Sequence, residues 1–282
     1  MGDLLLADSV FIIRDAAFGQ DFGPKAIAAL LGIVLVVWDC RTQRRWDYAW
    51  VFGIGTVIWM AAELFLQLSG VRDMPSHQLF GRELGPVAAQ LIQGASEGAL
   101  VAVMGLFVGD RWLVKSRRSR SYLIFVLFAA ALFFSAFRAA RKAQGLDVVA
   151  SRRDVLDPLA LMFIAIMIAI AIVFWWRYRA WHPRTAAMFV AMVALAAIWT
   201  IGQVWVGGRW VEVGNEAAQQ FTRAEPLVTF LTLAFDVVVE IALIYVPFLG
   251  IPVMLRLIRN PEPLPEVESS TAPEAAVSVE AR

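Results

Sequence analysis

The sequence predicts an all-α fold, a polytopic membrane helix bundle of about seven transmembrane helices. Three observations predict it: 60% of the 282 residues are hydrophobic, only 17% are charged, and the mean hydropathy is +0.66. Soluble globular domains are about half apolar and about a quarter charged. This composition excludes a disordered chain, a disulfide scaffold and a coiled coil. The net charge of +1 gives no indication of nucleic-acid binding.

Seven stretches of the chain are long and apolar enough to cross a membrane, which takes about 20 residues for about 30 Å of hydrocarbon. Proline stands near the start of four of them, where a missing backbone N–H costs nothing. Pro247 lies inside the last stretch and predicts a kink there. The predicted spans are residues 24–38, 48–69, 86–109, 122–137, 159–176, 186–206 and 226–252.

The seven spans make up a transmembrane domain of residues 23–259, with a different kind of segment at each end. Residues 1–22 mix apolar and charged side chains, and they are predicted to form an interfacial segment, a short helix on the outer surface. Residues 260–282 are rich in proline, glutamate, serine and alanine. They are predicted to form a disordered, acidic, Pro-rich tail.

Basic residues are distributed unequally between the loops, and this sets the expected orientation. The loops after spans one, three and five are short and nearly free of acids, and because basic loops stay in the cytoplasm we expect the N-terminus outside and the C-terminus inside a plasma (inner) membrane. The bases of these loops are Arg41, Arg44, Arg45, Arg111, Lys115, Arg117, Arg118, Arg120, Arg177, Arg179 and Arg184. The loop after span four departs from the pattern, with Arg138, Arg141, Lys142, Arg152 and Arg153.

Four carboxylates fall well inside predicted spans: Glu63, Glu97, Asp236 and Glu240. An acidic residue at the centre of a membrane helix costs about 2.5–3.5 kcal/mol on insertion scales, so such residues usually face the bundle interior. Asp236 and Glu240 are four residues apart and share one helix face, as do Gln93 and Glu97. We therefore expect the four acids to face a shared polar interior.

Other side chains complete the predicted site. Arg138 is the expected counter-ion on the outer side, and Gln203 offers an amide from span six. Trp59 and Trp199 each stand four residues before a polar residue, and an indole face beside a carboxylate suits a cation, especially an organic amine. The alternative for both is an ordinary interfacial anchor. The predicted substrate-binding residues are Glu63, Glu97, Asp236, Glu240, Gln93, Gln203, Arg138, Trp59 and Trp199.

Small residues recur every four positions through Glu97, at Gly94, Gly98 and Ala102. Such spacing lets two helices approach closely, which is a structural alternative to a functional role for this stretch. The two interpretations are compatible, because close packing can also seal one side of a polar site.

Three functions are compatible with these residues. The first is a transporter or channel for a proton, metal ion or small cationic solute, with Glu97 and Glu240 at the centre and Glu63 and Asp236 at the outer entry. The alternative is a non-catalytic sensor or accessory subunit of a membrane complex, in which the charged groups are interhelical pairs. The third is a membrane enzyme acting on a lipid, with a hard ion such as Mg²⁺ on Asp236 and Glu240.

No signature of a cofactor site accompanies these residues. A retinal Schiff base is excluded because Lys25, Lys115 and Lys142 are the only lysines and none lies deep in the last span. His77 and His182 fall in predicted loops, which argues against haem or a histidine metal centre inside the membrane. We predict no cofactor. The predicted partners are the lipid bilayer and a small cation or proton, without nucleic acid; a homo-oligomer or a membrane partner protein stays open.

Overall fold

The computed structural model describes residues 9–15, 22–71, 77–114, 118–119, 122–131, 151–215 and 220–263. Within them, six helices are long and apolar enough to cross a membrane. This confirms a polytopic helix bundle and indicates a membrane protein. The six are Gly23–Gln43, Asp47–Leu68, Pro86–Leu113, Pro158–Arg177, Arg179–Trp205 and Pro226–Met254.

These six helices correspond to six of the seven predicted spans, and two of them contain a π-helical segment. The predicted fourth span, residues 122–137, is described only as far as Ala131. In chain order the helical elements are α1 (Gly23–Gln43), α2 (Asp47–Leu68), α3 (Pro86–Gln93), π1 (Gly94–Ala99), α4 (Leu100–Leu113), α5 (Tyr122–Ala131), α6 (Pro158–Arg177), a 3-10 turn (Arg179–Trp181), α7 (His182–Trp205), α8 (Pro226–Phe235), π2 (Asp236–Leu243) and α9 (Ile244–Met254).

The helix boundaries follow from local sequence. Proline stands in the first turn of α1, α3, α6, α7 and α8, where its fixed φ suits the helix and its missing N–H is not needed. Asp157 caps α6, because its carboxylate accepts the backbone N–H groups of Leu159 and Ala160 at 2.8 and 3.1 Å. Pro247 lies inside α9, directly after π2.

The continuous helix α3–π1–α4 lies at the centre of the bundle. Of its most apolar stretch, 78% is buried inside the molecule, against 22–44% for the other five long helices. A Cβ added at Gly94 would lie 2.7 Å from the backbone oxygen of Thr56, and one at Gly98 would lie 2.7 Å from the ring of Trp59. The small residues of this stretch therefore allow close contact with α2, as their spacing predicts.

The closest approach of α4 to α7 gives a first testable prediction. A Cβ added at Gly109 would lie 2.8 Å from backbone atoms of Ala187 and Met188. We expect Gly109→Ala to destabilise the protein by about 1–3 kcal/mol, because a packed backbone cannot move aside as a side chain can. Gly53 is the matched control, since nothing lies within 4 Å of a Cβ there. Thermal unfolding in detergent should give a lower Tm only for Gly109→Ala; equal Tm values for both variants would contradict this packing.

A four-stranded antiparallel sheet lies at one end of the bundle, which we call the sheet end. Its strands come from three separate parts of the chain, in the order β4–β1–β5–β6. The central strand β1 pairs with β4 on one side and with β5 on the other. Strands β2 and β3 form a separate two-stranded antiparallel hairpin. The strands are β1 (Ser9–Arg14), β2 (Gln78–Leu79), β3 (Arg82–Glu83), β4 (Ser151–Asp154), β5 (Arg209–Asn215) and β6 (Gln220–Arg223).

The sheet corrects two predictions: the chain is not all-α, and the helix expected in the N-terminal segment is wrong because β1 is a strand. Val10 and Ile12 are buried in a cluster with Val211, and Phe11 makes an edge-to-face contact with Phe221 at 5.5 Å between ring centroids. Consecutive apolar residues suit a strand that is buried on both faces. Periodicity alone does not separate such a run from a short helix.

The other end of the bundle, which we call the opposite end, is identified by α4 and α7, which run antiparallel. Gly109, late in α4, lies against Ala187, early in α7. Strand β5 directly follows the far end of α7. The last turn of α4 and the first turn of α7 therefore lie away from the sheet.

A buried ion network joins three helices at the opposite end. Arg184, in the first turn of α7, donates from Nε and Nη2 to the two carboxylate oxygens of Asp110 at 2.7 Å each. Its Nη1 donates to Asp47 at 2.8 Å, and the hydroxyl of Tyr48 donates to Asp110 at 2.9 Å. The side chains of Arg184 and Asp110 are only 2% and 1% exposed. We call these four residues the Arg184 network; it links α2, α4 and α7.

The first residues of the predicted tail lie at the same end. Arg45 donates to the backbone carbonyls of Asn260 at 3.3 Å and Glu262 at 3.1 Å. Nη1 of Arg184 also lies 3.4 Å from the carbonyl of Asn260. The chain is thus bonded to the bundle for at least three residues beyond 259, and residues 264–282 of the predicted tail lie outside the described residues.

Candidate functional site

Three of the four predicted acids lie in the two π-helical segments. Glu97 belongs to π1, and Asp236 and Glu240 belong to π2. A π-helical turn takes one extra residue, is rare, and occurs frequently at functional sites. Pro247 lacks the N–H that an α-helix would bond to the carbonyl of Leu243, the last residue of π2, so the regular helical bonding is interrupted there. The hydroxyl of Tyr245 donates to the backbone carbonyl of Glu97 at 3.1 Å, which connects the two helices.

Asp236 and Glu240 are both bound by arginines of the sheet. Arg153, in β4, donates to Asp236 at 3.1 Å and also contacts Glu240. Arg209, the first residue of β5, lies 2.7 Å from the second carboxylate oxygen of Asp236. The side chain of Asp236 is 3% exposed and that of Arg209 is 0% exposed. We call these four residues the sheet-side ion cluster.

Neighbouring groups keep both arginines charged. Nη1 of Arg209 donates to the hydroxyl of Thr200 at 3.2 Å and to the amide oxygen of Gln203 at 3.4 Å. Burial lowers the pKa of Arg209 to about 10 against the opposing effect of Asp236, so this side chain is still cationic at neutral pH. Burial also disfavours the charge of Arg153, but the carboxylates of Glu240 and Asp236 outweigh it and raise the pKa of Arg153 above its ordinary value.

Glu97 lies in a second group of charges, where its side chain is more exposed than those of the acids in the sheet-side ion cluster. Nζ of Lys25 lies 3.0 Å from one carboxylate oxygen of Glu97, and Arg14 lies 3.7 Å from the other. Lys25 also donates to the amide oxygen of Gln93 at 3.3 Å. The side chains of Glu97, Arg14 and Lys25 are 30%, 25% and 11% exposed. We call Glu97, Lys25, Arg14 and Gln93 the Glu97 group.

The two groups lie close together around Tyr245. Glu97, Glu63 and Asp236 are all near enough to the hydroxyl of Tyr245 to act on it electrostatically, as is Arg14. Spacing along the chain gives the shared face of each helix but not the order of helices around the bundle. The structure shows what spacing does not, namely that the predicted acids lie in one region near the sheet end.

Glu63 lies in α2 and is buried, at 3% exposed. Its charge acts on Arg153 and on His77, in the loop before β2. Burial lowers the pKa of His77, and the ammonium of Lys25 lowers it further, although Glu63 acts in the other direction. The imidazole is therefore neutral at pH 7, and Lys25 and Arg14 are the cations of this part of the site.

The remaining predicted residues are placed as follows. Trp59 packs against Gly98 and makes an edge-to-face contact with Tyr245, at 5.3 Å between ring centroids. Trp199 is partly buried on α7, the helix that also carries Gln203. Arg138, the expected counter-ion, lies outside the described residues.

Sequence reasoning missed the bases that pair with the acids. Arg14, Arg153 and Arg209 lie in strands of the sheet, and Lys25 lies in the first turn of α1. One signal was present in the sequence: the loop after span four has more bases than the expected orientation allows, and Arg153 is one of them. Its role as an internal counter-ion accounts for part of that excess.

Metal binding and family relationship give no further indication of function. Within the described part of the chain, no group of three or more His, Cys, Asp or Glu side chains is placed to hold a metal ion. Asp236 and Glu240, the candidate ligands for a hard cation, both contact Arg153. The chain matches no protein-family model, no curated protein and no solved structure. The function is therefore argued from the geometry of the site.

Proposed function

We propose that this protein is a multi-pass membrane transporter or channel that binds a proton, a metal ion or a small cationic solute at intramembrane carboxylates. The observation that carries the proposal is the convergence of Glu97, Asp236 and Glu240, from two π-helical segments, beside Glu63. Carboxylates inside a membrane domain are costly and usually belong to ion or proton pathways. Their location in π-helical turns favours a functional role over a purely structural one.

The proposed topology has seven spans, with the sheet end outside a plasma membrane. Strands β1, β4 and β5 belong to one sheet, whereas α4 ends at the opposite end of the bundle. The chain therefore has to return to the sheet end between residues 114 and 151, which supports a fourth crossing there. The arginines near the opposite end support a cytoplasmic location for it.

In the proposed mechanism, basic side chains of the protein neutralise the acids while no cation is bound. In the empty site Lys25 and Arg14 compensate Glu97, and Arg153 and Arg209 compensate the acids of π2. A proton or cationic group that binds Glu97 takes the place of Lys25 and changes the charge balance around Tyr245. The Glu97 group is the exposed part of the site, so we propose entry from the sheet end. The Arg184 network would then have to open for release on the other side.

Ion flux in proteoliposomes tests this function. Under an imposed gradient, the wild-type protein should carry protons or one member of a panel of cations. Glu97→Gln should lower the initial flux at least about tenfold, because it removes the carboxylate charge at which the ion is proposed to bind. Glu83→Gln is the matched control, because Glu83 is an exposed glutamate of β3 at the same end. Equal flux in the wild type and Glu97→Gln would contradict the proposal.

A second candidate is a sensor or an accessory subunit of a membrane complex. It is favoured by the pairing of Glu97, Asp236 and Glu240 with bases from other elements, since such pairs also fix the register of helices. In that case the doubly neutral variant Lys25→Met/Glu97→Gln should be as stable as the wild type, and neither protein should carry flux. Flux that Glu97→Gln abolishes would favour the transporter.

A further inference from the structure

The exposed part of the site contains both signs of charge. Glu97 is 30% exposed and Arg14 is 25% exposed, and they lie 3.7 Å apart. Lys25, 3.0 Å from Glu97, is 11% exposed. By contrast, Asp236 and Arg209 are 3% and 0% exposed and are paired with each other at 2.7 Å. A ligand that approaches this exposed part therefore meets an acid and two bases together, and not an acid alone.

A ligand with one positive charge and no anionic group fits this group less well than a ligand that carries both charges. To reach Glu97 it has to separate the carboxylate from Lys25, whose side chain is largely buried and forms its ion pair among the described residues with Glu97. Leaving a largely buried charge uncompensated is strongly unfavourable. A ligand with one negative charge meets the converse difficulty, because it has to displace Glu97 from Lys25 and Arg14.

A zwitterion avoids both difficulties. Its ammonium can pair with Glu97 while its anionic group pairs with Lys25 and Arg14, so each protein charge exchanges one partner for another of the same sign. Lys25 and Glu97 are in direct contact at 3.0 Å, so the ligand charges have to be only a few ångströms apart. Gln93, whose amide oxygen already accepts from Lys25 at 3.3 Å, keeps this ammonium in place.

We propose that the Glu97 group binds a small zwitterion, with an ammonium on Glu97 and a carboxylate or phosphate on Lys25 and Arg14. This inference rests on the proposed function, and it narrows the cationic solute of that function to one whose ammonium is joined to an anionic group. The shared chemistry, an ammonium and an anionic group joined by a short linker, has two sources. One is a free solute such as an α-amino acid, and the other is the headgroup of a lipid such as phosphatidylethanolamine.

Thermal unfolding of the purified full chain in detergent tests the inference with defined probes. The soluble probes are glycine and phosphoethanolamine, compared with methylammonium alone, acetate alone and an equimolar mixture of the two. The lipid arm compares nanodiscs of phosphatidylethanolamine and phosphatidylglycerol with nanodiscs of phosphatidylglycerol only. A ligand that binds the folded state raises Tm in proportion to the logarithm of its concentration over Kd.

The expected result is a rise in Tm with a zwitterion and no comparable rise with the unlinked mixture. Lys25→Met/Glu97→Gln, which removes one charge of each sign, should fold and show no rise, whereas the control Glu83→Gln should behave as the wild type. A rise with soluble probes indicates a free solute, and a rise only in nanodiscs that contain phosphatidylethanolamine indicates a headgroup.

Two outcomes overturn the inference and are distinguishable from failure of the proposed function. If methylammonium alone raises Tm as much as glycine and phosphoethanolamine, the site binds a simple cation, and the transport proposal stands without the zwitterion. If no probe raises Tm in either arm, the zwitterion site does not exist. The transport proposal itself fails only if the flux of Glu97→Gln also equals that of the wild type.

Discussion

Replacing Arg184 by methionine should destabilise the protein by about 3–5 kcal/mol, because it removes one partner of a buried ion network and leaves the others uncompensated. Arg184 binds Asp110 through two parallel hydrogen bonds of 2.7 Å, and it also binds Asp47. Both partners of the Asp110 pair are almost completely buried. The loss should be measurable as a lower Tm in detergent and as a lower midpoint in denaturant-induced unfolding.

Two further variants isolate the cause. Arg179→Met removes an exposed arginine from the turn just before α7 and should leave Tm nearly unchanged. Arg184→Lys keeps the charge but not the paired N–H groups, and it should fall between the wild type and Arg184→Met. A Tm for Arg184→Met equal to that of Arg179→Met would show that the network contributes nothing to stability.

Asp236→Asn should have a second effect of similar size, about 3–5 kcal/mol of lost stability, at the sheet end. The substitution leaves Arg209, whose side chain is 0% exposed, without the carboxylate that lies 2.7 Å away. Arg153 keeps Glu240 as a partner, so the loss should arise mainly at Arg209. The measurement is unfolding in detergent at neutral pH, where Arg209 is charged.

The control and the double variant make this result specific. Glu225→Gln removes an exposed acid just before α8 and should leave Tm unchanged. Asp236→Asn/Arg209→Gln removes both partners, so its loss should be smaller than the sum of the two single losses. If the losses were simply additive, Asp236 and Arg209 would not stabilise the protein as a pair.

The helical part of the fold was predictable because it depends on local composition and periodicity. The long apolar stretches appear as helices, and the shared face of Asp236 and Glu240 follows from their spacing of four residues. The sheet was not predictable in the same way. The strand β1 is an apolar run of Val10 to Ile13 whose partners are far away in the sequence, and no local pattern specifies such pairing.

The sequence identifies the acids of the site but not the basic residues that pair with them. A carboxylate inside an apolar stretch is conspicuous, because burying it in a membrane is costly. Arg209 and Arg14 lie outside the predicted spans, where an arginine is not conspicuous. Arg184 is one of the bases on which the expected orientation depends, yet it is buried with Asp110.

Arginines that form internal ion pairs can mislead a prediction of membrane orientation from basic loop residues, as in the loop after span four. Arg153 binds Asp236 and Glu240. Arg152 donates to Glu212 at 3.0 Å, and its guanidinium lies 3.6 Å from the ring centroid of Phe221. These two arginines are therefore bound within the sheet and the site. If they are treated as free bases, the difference in basic residues between the two sides of the membrane becomes smaller than the other loops indicate.

The order of strands in the sheet has a consequence for how the protein is made. Strand β1 is synthesised first, but its neighbours β4 and β5 begin only at Ser151 and Arg209. At about 5–20 residues per second, ribosomal synthesis from residue 14 to residue 151 takes about 7–27 s. During that time a strand with four consecutive apolar residues has two open edges, which are templates for mispairing with another chain. We therefore expect the yield of assembled protein to fall when translation pauses between β1 and the later strands.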